Sequence, residues 1–166
     1  SIEVVNPATE ELFAVVARAS ERQANEAVTV AKLAFPNWAS TPITIRQAKI
    51  IEIADKVAEH ADELAQILTS EQGKPLSEAL GELDFVDGYL RHYATLSPTV
   101  KVIQDDEHFK IETRRKPLGV VVGIVPWNFP LLMAIWKIGP ALIAGNTIVV
   151  KTSPSTPATT LKFGEL

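Results

Sequence analysis

Apolar residues recur at three- and four-residue intervals from residue 24 to residue 94, whereas beyond residue 100 they first alternate with polar ones and then run together. The first pattern is helical and the second extended. Residues 2 to 5 and 12 to 17 are short β-branched or apolar runs around "NPATEE", whose Asn-Pro step favours a turn, so a hairpin is predicted at the start. Ser20 with Gln23 has the form of a capping box, and Ala24, Ala27, Val28, Ala31 and Phe35 carry an amphipathic helix as far as Pro36. Thr41 and Pro42 read as the N-cap and first position of the next helix. Its stripe, from Ile45 through Ala48, Ile51, Ala54, Val57 and Ala61 to Leu64 and Leu68, ends at Gly73 and Pro75, with a break at His60 and Ala61. Leu76, Ala79, Leu80, Leu83, Val86, Leu90, Tyr93 and Ala94 predict a further long helix to about Ser97.

"TVKVIQ" and "HFKIETRR" alternate on either side of "DDE", which predicts a second hairpin with one polar face and an edge in need of a partner. "LGVVVGIV" is a continuous apolar run, as in a strand covered on both faces; "LLMAIWKIGPALIAG" is a helix with Gly145 at its end; "NTIVVKTS" is another buried strand. Together they form a β-α-β unit. Thr156 and Pro157 then open a last helix, "ATTLKFGEL", inside which the chain is expected to stop. The predicted class is α/β, with an N-terminal helical region and hairpins leading into a parallel sheet. Two parallel strands cannot cover their own edges, so the sheet is expected to be truncated.

The apolar content of 46% against 22% charged residues supports a packed core and excludes disorder. A net charge of -4 with scattered Lys and Arg leaves no basic footprint, so neither nucleic acid nor a membrane surface is an expected partner. A mildly acidic cytoplasmic protein is expected. The N-terminus has no basic start followed by an apolar core, so no signal peptide is expected either. The absence of cysteine excludes disulfides, thiolate metal sites and a cysteine nucleophile within these residues. His60, His92 and His108 are far apart, so no metal site is expected. No GxGxxG is present.

Ligands of open α/β sheets bind beyond the carboxyl ends of the strands, which directs attention to "PWNFP" after the first strand and "KTSP" after the second. Asn128 has two readings: a loop amide that bonds its own backbone, or an amide donor aimed at an oxygen that gains negative charge. Lys151 is either a solvated strand end or a contact to a cofactor ribose or phosphate.

"NPATEE", "EQGKP", "PLGVVVGIVPWNFP" and "PALIAGNTIVVKTSPSTP" make the chain similar, nearly end to end, to the N-terminal portion of the aldehyde dehydrogenase superfamily. That resemblance implies a Rossmann-like sheet and a division into residues 1–99, the helical part of the cofactor-binding domain; residues 100–116, an oligomerisation hairpin; and residues 117–166, the start of the β-α-β core. It implies oxidation of an aldehyde to a carboxylic acid through a cysteine thioester, with NAD or NADP as cofactor. Asn128 would donate its amide to the oxygen of the adduct, the backbone of Ile124, Val125, Pro126 and Trp127 would line the cofactor, and Lys151 would reach the adenosine ribose. Phe129, Leu132, Met133 and Trp136 match the family's substrate tunnel, although a stripe of such residues also suits ordinary core packing. The hairpin at 100 to 115 resembles the arm through which family members form homo-oligomers.

One departure stands out. Many members have Glu as the third residue after the lysine, and here that position is Pro154. Without a carboxylate to repel a 2′-phosphate, Lys151 and Ser153 are left to accept it, so relaxed choice between NAD and NADP is expected. The family's cysteine nucleophile and glutamate base fall outside these residues, and residues 1–166 alone are predicted to be inactive. The alternative is a non-catalytic truncated relative acting as an assembly module.

Overall fold

In the computed structural model, which describes residues 1–166, the strands are β1 (Ile2–Val5), β2 (Leu12–Val16), β3 (Lys101–Asp105), β4 (Lys110–Thr113), β5 (Val120–Ile124) and β6 (Thr147–Lys151). The helices are α1 (Glu21–Ser40), α2 (Ile43–Glu59), α3 (Ala61–Gln72), α4 (Leu76–Thr95), α5 (Pro130–Ile143) and α6 (Ala158–Phe163). Both hairpins are antiparallel, and β5 and β6 are parallel, with Val120 opposite Thr147 and Ile124 opposite Lys151. The α/β class and the β5-α5-β6 crossover therefore stand as predicted.

Local chemistry accounts for most boundaries. The capping box at Ser20 is formed in both directions, at 3.3 Å from the Gln23 amide to Ser20 Oγ and 2.9 Å from the Ser20 amide to Gln23 Oε1. In the first turn, Asn6 Oδ1 accepts the Ala8 amide at 2.9 Å. Helix α3 ends on Gly73, whose φ of 86° belongs to the left-handed region, and a Cβ there would lie 2.6 Å from Pro7 Cγ. The turn of the first hairpin and the end of α3 are thus packed on one another.

Several boundaries differ from the periodic reading. Helix α1 continues through Pro36 to Ser40: an interior proline costs about 3 kcal/mol, and the anchorage of Trp38 beyond it on Leu142 of α5 offsets that cost. Thr41 is consequently the C-cap of α1, its amide donating to Trp38 O, and Pro42 precedes α2 without a side-chain cap. Helix α1 also buries no residue. Its stripe lies along the sheet, held by Trp38 Nε1 on Leu142 O at 3.1 Å and by Thr147 Oγ1 on Ala31 O at 2.8 Å. Strand β5 is not covered on both faces: Gly123 is buried against Lys137 of α5, while its neighbours Val122 and Ile124 are exposed on the other face. Helix α6 begins at Ala158 rather than at Pro157 and finishes at Phe163, before the chain does.

The core runs through α2, α3, α4 and α5, around Ile50, Leu64, Leu68, Leu90, Leu131 and Ile135, none of which is exposed. Each such side chain stabilises the fold by about 1.5–3 kcal/mol through burial. Helices α4 and α5 meet closely at Gly139, where a Cβ would fall 2.4 Å from Tyr93 Cδ2. This seats α5, and with it the loop before it, on a rigid bed.

Candidate functional site

The carboxyl ends of β5 and β6 are tied together where Val125 N donates to Lys151 O at 3.1 Å. Past that point the two predicted loops remain joined, since Thr156 Oγ1 donates to Trp127 O at 3.4 Å. Ile124, Pro126, Trp127, Asn128 and Phe129 are exposed along this edge, and Val125 is buried beneath them. Lys151 is exposed at the end of β6, whereas Ser153 is buried and its Oγ accepts the Ser155 amide at 3.2 Å. At Asn128 the side chain is exposed, and the backbone carbonyl is the group that takes a hydrogen bond, from Lys74 Nζ at 3.3 Å.

Helix α5 divides the remaining candidates. Leu132 belongs to the core cluster and Met133 packs against it, while Trp136 is 40% exposed and meets the Tyr89 ring edge-on at 5.5 Å. The three residues therefore do not share one environment, and Phe129 and Trp136 present the apolar surface.

Four residues that the periodic reading passed over hold this edge in place. Glu82, fully buried on α4, accepts the Leu132 amide through Oε1 at 3.1 Å and pairs through Oε2 with the Lys74 ammonium. Leu132 is the third residue of α5, where an amide has no acceptor in its own helix, and no side chain caps that helix locally. A carboxylate from another helix does so instead, and its charge suits the positive end of the helix dipole. Glu71 does the same for α6, accepting the Ala158 amide at 2.6 Å and the Thr159 amide at 3.0 Å. Burial pushes the Glu71 carboxyl above the ordinary carboxylate range, against the bonds from Thr159 and Ala158 and with help from the charge of Glu82. Asn146, also buried, accepts the Leu118 and Gly119 amides at 2.6 and 3.0 Å and so sets the approach to β5. A signal for the two glutamates was available: Glu71 lies three residues after Leu68, and Glu82 three after Ala79, each on the apolar stripe of its helix where a charge has to be paired.

A parallel strand-helix-strand unit that gathers its exposed polar groups at the carboxyl edge defines an α/β protein of the kind that binds ligands at that edge. The chain belongs to the aldehyde dehydrogenase family, whose sequence profile matches residues 1–166. It is 38% identical over 167 residues to Aldehyde dehydrogenase family 2 member B4, mitochondrial, of Arabidopsis thaliana, covering 98% of this chain and 31% of that protein. The crystal structure of PnpE from Pseudomonas sp. WBC-3 superposes with a TM-score of 0.95 at 38% identity, over 99% of this chain and 34% of that one. Betaine aldehyde dehydrogenase from Staphylococcus aureus, solved in complex with NAD+, superposes with a TM-score of 0.94 at 33% identity, over 98% of this chain and 33% of that one. The chain thus spans about a third of the length of the relatives it matches. No helix is long and apolar enough to cross a membrane.

Proposed function

We propose that this chain is the part of an NAD(P)-dependent aldehyde dehydrogenase that supplies the oxyanion amide, one wall of the cofactor site and the assembly arm. The observation that carries this reading is the position of Asn128: an exposed carboxamide at the carboxyl edge of β5, in a loop bonded to the connections that follow α3 and β6. When a thiolate from outside residues 1–166 adds to an aldehyde, the electron pair of the C=O bond moves onto oxygen. A fixed N–H donor at that oxygen stabilises the charge as it forms, and one such donor is worth about 3 kcal/mol of barrier. Loss of hydride from the same carbon then yields a thioester, which water opens to the acid.

The edge suits a dinucleotide chemically. Exposed Ile124 and Trp127 offer apolar surface to a ring, and the Lys151 ammonium offers a donor to a ribose hydroxyl or a phosphate. The bound nicotinamide supplies the hydride acceptor. The backbone of Ile124, Val125, Pro126 and Trp127 would line the cofactor in this reading, and Pro154, in place of an acidic residue, would leave Lys151 unopposed near a 2′-phosphate. Ser153 Oγ accepts the Ser155 amide and retains its hydroxyl proton to donate. Relaxed choice between NAD and NADP follows. Phe129 and Trp136 form one wall of an apolar substrate passage, with half-buried Met133 behind it and Leu132 beneath. The β3–β4 hairpin exposes Val102, Ile103, Phe109 and Ile111, and we assign it to extending the sheet of a second subunit.

The test is kinetic. In the protein that carries this chain, Asn128→Ala lowers kcat for aldehyde oxidation about 10²–10³-fold with little change in the KM for cofactor. Undiminished kcat removes the oxyanion role. Steady-state rates with NAD and NADP check the cofactor inference, which a strong preference for NAD contradicts. Residues 1–166 alone give no aldehyde-dependent NAD reduction, since they contain no cysteine.

A further inference from the structure

The geometry points to Lys74 and Glu82 as a buried clamp that fixes the main chain of Asn128, making them positioning residues for its carboxamide. Two prolines bracket the "PWNFP" loop, but prolines limit φ without choosing where the loop lies over the sheet. Phe129, at the N-cap of α5, contributes no capping side chain, and Pro130 has no amide, so the start of α5 has little local means of holding itself. The clamp supplies what is missing. Lys74 Nζ donates to the Asn128 carbonyl at 3.3 Å and stands 4.2 Å from the centroid of the Phe129 ring, while Glu82 holds the Leu132 amide at 3.1 Å. One ion pair therefore grips residues 128, 129 and 132 at once.

The pair is shielded from water, with side-chain exposures of 10% for Lys74 and none for Glu82. Its field is accordingly strong and little screened, unlike that of Arg22 and Glu26, which are 75% and 55% exposed. Glu82 is also carried by a core helix, since its α4 neighbours Ala79, Leu83 and Val86 are buried. Lys74 follows Gly73, whose backbone is pinned against Pro7. The loop is thereby referenced to the rigid body of the chain. Neither residue touches the reacting atoms in the proposed chemistry; they act through the placement of Asn128. A displacement on the order of 1 Å at a catalytic group can cost about 10²-fold in rate, so a support of this kind matters to turnover.

The catalytic consequence rests on the aldehyde-oxidising reading, whereas the clamp does not, and two readouts separate them. The first is hydrogen exchange at single amides in the protein that carries this chain. The Leu132 amide exchanges slowly in the unaltered protein. In Lys74→Met, exchange at Leu132 and Met133 accelerates by about tenfold or more while amides of α2 are unchanged; Lys74→Arg, which keeps the donor and the cation over Phe129, restores protection. The second is kcat, which falls about tenfold or more in K74M, recovers in K74R, and leaves the KM for nicotinamide cofactor nearly constant. Fast exchange at Leu132 in the unaltered protein overturns the clamp, as does K74M with undisturbed exchange. Loosened exchange with undiminished kcat overturns the positioning role. Loosened exchange in a protein that never oxidises aldehydes upholds the clamp and refutes the aldehyde reading instead. If K74M does not fold, Glu82→Gln decides: it keeps an acceptor but no charge, and unchanged protection at Leu132 and Met133 in that variant overturns the proposal.

Discussion

Gly139→Ala sets two effects of opposite sign against each other in the middle of α5. Alanine is the better helix former, and on propensity alone the change stabilises by about 1 kcal/mol. Against this, the new Cβ falls 2.4 Å from Cδ2, 3.0 Å from Cε2 and 3.1 Å from Cγ of Tyr93, where carbon atoms normally rest about 3.5–4.0 Å apart. Turning the ring about its own axis moves Cδ2 and Cε2 but not Cγ, so a tight contact of 3.1 Å remains. Either Tyr93 leaves its rotamer, disturbing its contact with Tyr89 at 6.3 Å between centroids, or α4 and α5 separate and open the core beneath them. Overpacking of this kind costs about 1–3 kcal/mol. Set against the gain of about 1 kcal/mol, this leaves a net destabilisation of about 0–2 kcal/mol. Urea denaturation followed by tryptophan fluorescence reads it as a lower midpoint at unchanged slope. At about 2–4 °C per kcal/mol for a chain of this size, Tm falls by up to about 8 °C. A midpoint above that of the unaltered protein refutes the close approach of α4 and α5. So does full additivity with Tyr93→Ala, because two residues in contact must couple.

Ile135→Ala removes a side chain with no exposure from the centre of the core, and a loss of about 2–5 kcal/mol in chemical denaturation is expected; less than 1 kcal/mol would mean the site collapses freely. Gly73→Ala costs about 1–2 kcal/mol for the left-handed backbone alone, with more from Pro7, and circular dichroism melts check it. For Glu71 the folded state holds its proton more tightly than the unfolded chain, because burial disfavours the charge. Its contribution is therefore complete below the unfolded pKa of about 4.3 and is lost as pH rises through the higher folded value. Subtracting the stability-versus-pH curve of Glu71→Gln from that of the unaltered protein should leave a difference that falls with rising pH just above that point, and one that rises would contradict the assignment.

The elements whose position is set by short-range rules were legible in the chain. The capping box at Ser20, the glycine ending α3, the Asn6 turn and the apolar run of β5 each depend on residues within a few positions, and each appears where its pattern put it. Periodicity failed where the competing influence came from afar. Pro36 reads as a stop, yet α1 passes through it, because the indole of Trp38 beyond it is anchored on α5. Strand β5 reads as doubly covered, because a run of valines and isoleucine records hydrophobicity but not which faces meet a neighbour.

At the site, the motif residues were visible and their supports were not. Asn128 and Lys151 stand out by their place after apolar runs, since the ends of parallel strands are where a chain presents polar groups. Lys74 and Glu82 lie about fifty residues away from the loop they hold, and nothing in their local spacing names that partner. Only the stacking of α4 on α5 brings a buried carboxylate to an amide that its own helix leaves unpaired. Glu71 and α6 repeat the same arrangement across 87 residues. Caps, turns and apolar periodicity act between neighbours along the chain, so residue order determined which segments are helices, turns and strands and the β-α-β order, though not the end of α1. Pairing of buried charge is set by neighbours in space, because desolvation forces a partner without saying where in the chain it lies, and that was decided by the tertiary structure.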